Sequence, residues 1–273
     1  MSTLVSFHAH PDDESIGTGG TIARAAAVGH RVVLVIATRG ERGEPTPGVL
    51  ADGEMLWERR IVETMESARI LGVQRVEFLG YVDSGMMGEP TNDFPYCFWQ
   101  ADVEHAANRL AAILREESAD VLTVYDDNGG YGHPDHIQVH RVGLRAAQLA
   151  GVADVYQGTM NQDHIRRTIE AIQAQMDADG VEPPEGAPDS EELDRTTFGK
   201  PEVELTHAVD VSDLLDVKRA AMVAHASQIA DDSWFLTMPE DAFATAFGTE
   251  WFIRTGHTRA ADAPFGTSLW DDE

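Results

Sequence analysis

Short apolar runs alternate with longer segments of helical spacing through the first half of the chain. LVSFHA (Leu4–Ala9) is rich in β-branched and aromatic residues and reads as a strand, with a polar loop behind it. A helix is predicted at about Thr18–Val28, stopped by Gly29. RVVLVIAT (Arg31–Thr38) is almost continuously apolar, the pattern of a parallel strand buried on both faces. After a Gly/Pro-rich loop, Glu54–Leu71 holds no Gly or Pro. It repeats Met55, Ile61, Val62, Met65, Ala68 and Leu71 near helical spacing, and Gly72 stops it. Val76–Gly80 reads as the third strand, Tyr81–Gln100 as irregular and Asp102–Glu117 as a helix. Val121–Tyr125 is the fourth strand, Ile137–Leu149 a helix and Val155–Gln157 a short fifth strand.

This alternation predicts an α/β fold, an open, mostly parallel Rossmann-like sheet with helices on both faces and right-handed crossovers. From about Asp177 to Arg195, eight acidic residues and three prolines predict a solvated excursion. Beyond it, VELTHAVDV predicts a strand, Asp213–Ala226 a helix and Trp251–Arg254 a last strand, with a loosely held tail from Ala260. The expected organisation is one domain over 1–273. Residues 1–158 would form the core, and 159–273 the acidic insertion and a smaller C-terminal lobe that shapes the pocket. Trp234, Phe235, Phe247 and Trp251 fit the core of that lobe better than a sugar-stacking platform.

Composition narrows the function. With 273 residues and 42% hydrophobic content the chain can bury a sizeable core. No run approaches the roughly 18 apolar residues of a membrane span. The start, MSTLVSFHAH, lacks a basic region followed by an apolar stretch, so a cytoplasmic protein is expected. Cys97 is the single cysteine, which excludes an intrachain disulfide and a Cys-based zinc cluster; it fits a half-buried loop residue better than a nucleophile. The formal net charge of −27 argues against nucleic acid and anionic membrane surfaces as partners. It favours solubility and suits a salty or GC-rich cell background. No signal for an oligomeric state is present.

Chemistry concentrates in two loops. The one after the first strand reads His8-Ala9-His10-Pro11-Asp12-Asp13-Glu14; the one after the fourth reads Tyr131-Gly132-His133-Pro134-Asp135-His136, with His140 beyond. In doubly wound sheets ligands bind outside the carboxyl ends of strands, where these loops fall. Catalytic zinc takes three protein ligands from His nitrogen and carboxylate oxygen and keeps one position for water. His10 and Asp13, three apart across a proline-fixed turn, can supply two, and His136 is the best candidate for the third. Asp12 is then left beside the metal as general base, and His133 as general acid or electrostatic stabiliser, oriented by Asp135. His8 fits a structural histidine. His140, one turn beyond His136, is either part of an HxxxH pair or an outer residue.

HAHPDDE and YDDNGGYGHPDHIQVH resemble the LmbE-like or PIG-L family of zinc deacetylases, over about residues 4–150. Arg60-x-x-Glu63 and Tyr81-Val82-Asp83-Ser84-Gly85-Met86 add to the resemblance. That family includes N-acetylglucosaminylphosphatidylinositol deacetylases, the mycothiol-pathway N-acetylglucosaminyl-inositol deacetylase and the mycothiol S-conjugate amidase. The resemblance implies His10, Asp13 and His136 as ligands of one zinc (Zn2+) per chain, with Fe2+ or another divalent ion as the alternative. It implies Asp12 as base, and His133 as a protonated partner oriented by Asp135. It also implies Tyr131 as a mobile group polarising the amide carbonyl, Asp83 on sugar hydroxyls, and Arg60 or Arg69 on polar substrate groups. The implied partner is a small amino-sugar substrate. The reaction is either removal of an N-acetyl group or cleavage of a mycothiol-like conjugate at the same amide. A non-catalytic sugar- or nucleotide-binding protein is the rival of another class, but HPDDESIGTGG lacks the spacing of a dinucleotide loop.

Overall fold

A computed structural model describes residues 1–179 and 198–270. β1 (Thr3–His8), β2 (Arg31–Ile36), β3 (Arg75–Phe78), β4 (Val121–Tyr125) and β5 (Asp154–Thr159) pair in parallel. β6 (His207–Asp210) and β7 (Thr249–Arg254) extend the same sheet antiparallel, giving the order β3-β2-β1-β4-β5-β7-β6. Both faces are covered, so alternate residues of one strand enter different cores. Val5 and Phe7 pack in one cluster with Ala106, Leu110 and Val142; Leu4 packs in the other with Ile22, Leu71 and Ala221. The helices concerned are α2 (Gly19–Ala27), α3 (Leu56–Leu71), α4 (Val103–Glu116), α6 (Pro134–Ala150) and α8 (Leu215–Val223), with a single turn, α5 (Gly129–Gly132), leading into α6. α6 lies so close to β4 that a Cβ on Gly143 would fall 2.3 Å from Val124 Cγ1.

β1 and β4 are neighbours, while β2 lies on the other side of β1. The chain therefore reverses direction across the sheet at the β1/β4 gap, the usual place for a ligand crevice.

Five details depart from the reading of the sequence. The first helix is split by Thr18, whose φ of −138 is not helical, into α1 (Asp13–Gly17) and α2. α6 begins at Pro134, with His133 as its N-cap, so Asp135 and His136 lie in its first turn. A helix absent from that reading, α7 (Gln162–Asp179), follows β5. The expected acidic excursion starts inside its last turn and otherwise lies outside the described residues. The tail is anchored near Leu269 and Trp270: Leu269 is buried and Trp270 stacks on His30 at 4.3 Å between ring centres. Cys97 is buried rather than half-buried. Among the described residues no helix is long and apolar enough to cross a membrane.

Candidate active site

The loop after β1 turns at Asp12, whose φ of 100 and ψ of −33 are rare for a residue with a Cβ. Such a conformation costs on the order of 1–3 kcal/mol and persists only where surrounding contacts dictate it. Here Arg60 donates through Nη2 to the Pro11 carbonyl and, at 3.2 Å, to Asp12 Oδ2. Asp12 N–H donates to Glu14 Oε2 at 3.0 Å. Asp13 then opens α1 and returns its Oδ2 to the His10 N–H at 2.8 Å.

The loop after β4 reaches the same point from the other side. Asp126 accepts N–H bonds from Asn128 and Gly130 and a hydroxyl from Thr159, which curls the glycine turn. Gly129, at φ 64, passes so near α6 that a Cβ there would meet the His136 Cβ at 2.5 Å. Its carbonyl takes His136 Nδ1 at 3.2 Å. His136 Nε2 then faces Asp13 Oδ2 at 3.4 Å, buried and with no hydrogen-bond partner. Asp13 Oδ2 is also 3.4 Å from His10 Nδ1. Tyr125 stacks on His136, 4.2 Å between centres and 9° from parallel. Ring nitrogens of His10, His133 and His136 lie within 4.8 Å of one another, as do ligand atoms of His10, Asp83 and Asp135.

His10, Asp12, Asp13, Arg60, Asp83 and His133 line a cavity of about 270 Å³ together with Arg42, Gly43, Met86, Tyr131 and Gln228. Burial pushes the Asp12 carboxyl up to about 6, with Asp13 adding and Arg60 opposing. For Asp13 burial acts in the same direction, but the His136 and His10 rings outweigh it and hold this carboxyl well below its usual range. Burial, then the neighbouring His10 and His136, push His133 down to about 3. Burial and Asp13 raise the Tyr131 phenol above its ordinary value.

Of the residues singled out in the sequence, His10, Asp12, Asp13, Asp83, Arg60, Tyr131 and His133 line the cavity, and His136 does not line it but meets Asp13, 3.4 Å from its Oδ2. Arg69 is elsewhere, paired with Glu66 on the exposed face of α3. Asp135 is close by but turned differently from expectation. Its carboxylate accepts Ser84 N–H and Oγ and meets His10 Nε2 at 3.1 Å, whereas only its backbone N–H meets His133, at Nδ1. Its carboxylate thus holds His10, not His133. His8 bonds to Ser6, Thr18 and Tyr125, and His140 to the Tyr125 carbonyl, both away from the cavity. Phe235 and Phe247 pack together in the C-terminal region, Trp251 meets Phe265, and Trp234 is exposed; none of the four lines the cavity.

Sequence reasoning missed the stretch just after α8. His225 bonds Glu14, Ser227 bonds both oxygens of Glu63, and Gln228 Oε1 accepts from Arg60. Its only signal was His-Ala-Ser-Gln, a polar run closing an apolar helix.

A model of the PIG-L family, described as GlcNAc-PI de-N-acetylase, matches residues 5–147, which include both loops. A protein of Acidothermus cellulolyticus named 1D-myo-inositol 2-acetamido-2-deoxy-alpha-D-glucopyranoside deacetylase is 42% identical over 267 residues, covering 93% of this chain and 88% of its own. One of the same name from Thermobifida fusca is 46% identical over 243 residues, 83% of each chain. The solved N,N'-diacetylchitobiose deacetylase from Pyrococcus horikoshii superposes with a TM-score of 0.59 at 25% identity, covering 93% of this chain and 84% of that one. With both His-Pro-Asp loops inside the matched segment, the chain belongs to the PIG-L family.

Proposed function

We propose that the chain is a zinc-dependent hydrolase that removes the N-acetyl group from N-acetylglucosamine joined to inositol. The substrate is taken from the names of relatives that match most of the chain. The metal rests on one observation, the buried, unpartnered Nε2 of His136. With Nδ1 turned to the Gly129 carbonyl, the proton belongs on Nδ1 and a lone pair is left on Nε2. Zinc bonds of about 2.0–2.1 Å set tetrahedral ligand atoms about 3.3–3.4 Å apart. Asp13 Oδ2 lies at 3.4 Å from both His136 Nε2 and His10 Nδ1. Those three atoms would hold the ion; His10 Nε2 is engaged by Asp135. This set is favoured over the three-histidine cluster because it brings a carboxylate charge. Iron(II) suits the same donors.

Bound there, zinc supplies Lewis acidity and a water that ionises near neutrality. Asp12, half-neutralised near pH 6 and steered by Arg60, takes the proton of the attacking water. His133 accepts the Asp135 N–H on Nδ1, so its neutral ring carries the proton on Nε2 and donates from there to the developing oxyanion. Tyr131, kept protonated by burial, supplies a second donor. The proton held by Asp12 then passes to the departing amine. Asp83, its oxygens fixed by Arg42 N–H and Gly85 N–H, presents a rigid acceptor for sugar hydroxyls.

The test is acetate release from N-acetylglucosaminyl-inositol by protein stripped of metal and reloaded with one equivalent of zinc. Release that returns with zinc supports the proposal. Failure to bind the ion, or release that is indifferent to it, refutes it.

A further inference from the structure

Asp12 holds a backbone conformation its own side chain disfavours, and part of what holds it comes from the far end of the chain. Its carbonyl starts α1 by accepting the N–H groups of Ser15 and Ile16. Its N–H has one partner, Glu14 Oε2, at 3.0 Å. Glu14 is fully buried. Its other oxygen accepts Ser67 Oγ from α3 at 2.5 Å and His225 Nε2 at 2.6 Å. His225 is also fully buried, two residues past the end of α8 and 211 residues from Glu14. Neither Glu14 nor His225 lines the cavity.

A carboxylate that can swivel holds a strained peptide poorly. Two donors, one from α3 and one from the turn just past α8, fix one Glu14 oxygen, so the other is aimed at the Asp12 N–H. On the opposite side Arg60 pins the Pro11 carbonyl and Asp12 Oδ2. The Asp12 peptide is thus gripped from both ends. Losing the Glu14 grip would let φ relax and swing the carboxylate away from the attacking water.

We infer that Glu14 and His225 are positioning residues that aim the Asp12 carboxylate, so that the C-terminal region sets the geometry of the base. The inference rests on the reading of Asp12 as that base. Were the pair a mere staple of α8 to the core, its loss would lower stability and leave turnover of the folded protein alone.

The test compares His225→Leu, His225→Gln and Glu14→Gln, each alone and combined with Asp12→Ala, in zinc-loaded protein. Turnover, KM, bound zinc and Tm are measured for each. Misaiming a reacting group by about 1 Å costs up to about 100-fold, so His225→Leu and Glu14→Gln should lower kcat about 10–100-fold. KM and zinc content should hold. Gln at 225 places an amide N–H near the lost Nε2–H and should recover most of kcat. On an Asp12→Ala background the substitutions should add nothing further, as groups acting through one residue do. Unchanged kcat in folded, loaded Glu14→Gln overturns the inference, as does a full additional loss on Asp12→Ala or a loss explained by missing zinc. If His225→Leu fails to fold, Glu14→Gln and His225→Gln carry the test. Full activity in Asp12→Ala alone is a different result: it removes the base itself, and the inference with it.

Discussion

The sequence His-Pro-Asp occurs twice at this site, and the two copies are used in opposite ways. In the first, His10 faces the proposed metal position and Asp12 stands at φ 100, its carboxylate turned to the cavity and pushed up to about 6 by burial. In the second, His133 is an N-cap that faces the cavity, Pro134 takes the first helical position and Asp135 is fully buried. Ser84 saturates Asp135 from its backbone and hydroxyl. The difference lies in where the next helix begins. Helix α6 starts at the proline of its tripeptide, so Asp135 adopts ordinary helical angles and points inward. Helix α1 starts one residue after the aspartate of the other, so Asp12 becomes the turn. In the proposed mechanism the first aspartate carries the proton, while the second is a strut held by Ser84 and His10.

The sharpest way to break the comparison is to neutralise each aspartate without changing its shape. Asp12→Asn should cost about 10²–10⁴-fold in kcat, the usual worth of a general base, with zinc retained. The pH profile carries the same information. A base works only as the carboxylate, and burial raises this one from its ordinary value to about 6. kcat/KM of the parent should therefore fall as pH drops through about 6, and the Asn variant should lack that limb. Wild-type turnover in Asp12→Asn would make the two aspartates equivalent struts.

Asp135→Asn should be smaller in turnover and larger in structure. The amide nitrogen must face either the Ser84 hydroxyl, which now donates to Oδ1, or the Ser84 N–H together with His10 Nε2, which share Oδ2. A buried donor without an acceptor costs about 1–3 kcal/mol, visible as a lower Tm. Loosening a group that orients a metal-binding histidine typically weakens metal affinity about 10–100-fold. With zinc in excess, kcat should return most of the way to the parent value. A loss at saturating zinc as deep as that of Asp12→Asn would place Asp135 in the chemistry instead.

The loops and strands were legible because their signals are local. Apolar runs marked β1, β2 and β4, and two His-Pro-Asp clusters at strand ends marked the crevice. Local signals also existed for α7, where Ile165, Ile169, Ile172 and Met176 recur at helical spacing, although composition drew attention to the acidic stretch after them. The contacts that brace the site are another matter. Glu14–His225, Glu63–Ser227 and Arg60–Gln228 join residues 211, 164 and 168 positions apart. Periodicity reports which face of a helix is apolar, not which distant polar group lies opposite a buried acid. The partners of the Asp135 carboxylate are illegible in the sequence for a related reason. Proximity in sequence suggested His133 as its partner, whereas the first turn of α6 turns its carboxylate to Ser84 and His10.

Two of the three arginines of α3, Arg60 and Arg69, give the smallest expected effect and the cleanest geometric argument. Arg60 and Arg69 are nine residues apart, and at about 100° per residue that places them on opposite sides of the helix. Arg60 is buried, with its guanidinium shared among the carbonyls of Gly40 and Pro11, Gln228 Oε1 and Asp12 Oδ2. A lysine cannot reproduce that fork, so Arg60→Lys should behave as a weakened Asp12→Asn, low in kcat with zinc retained. Arg69 projects into water, and its partner Glu66 is itself half exposed, so solvent and salt screen the pair. Arg69→Ala should leave kcat, KM and zinc content at the parent values. A rise in KM on removing Arg69 would mean that the substrate reaches around α3 to its outer face, and the boundary of the site would have to be redrawn to include it.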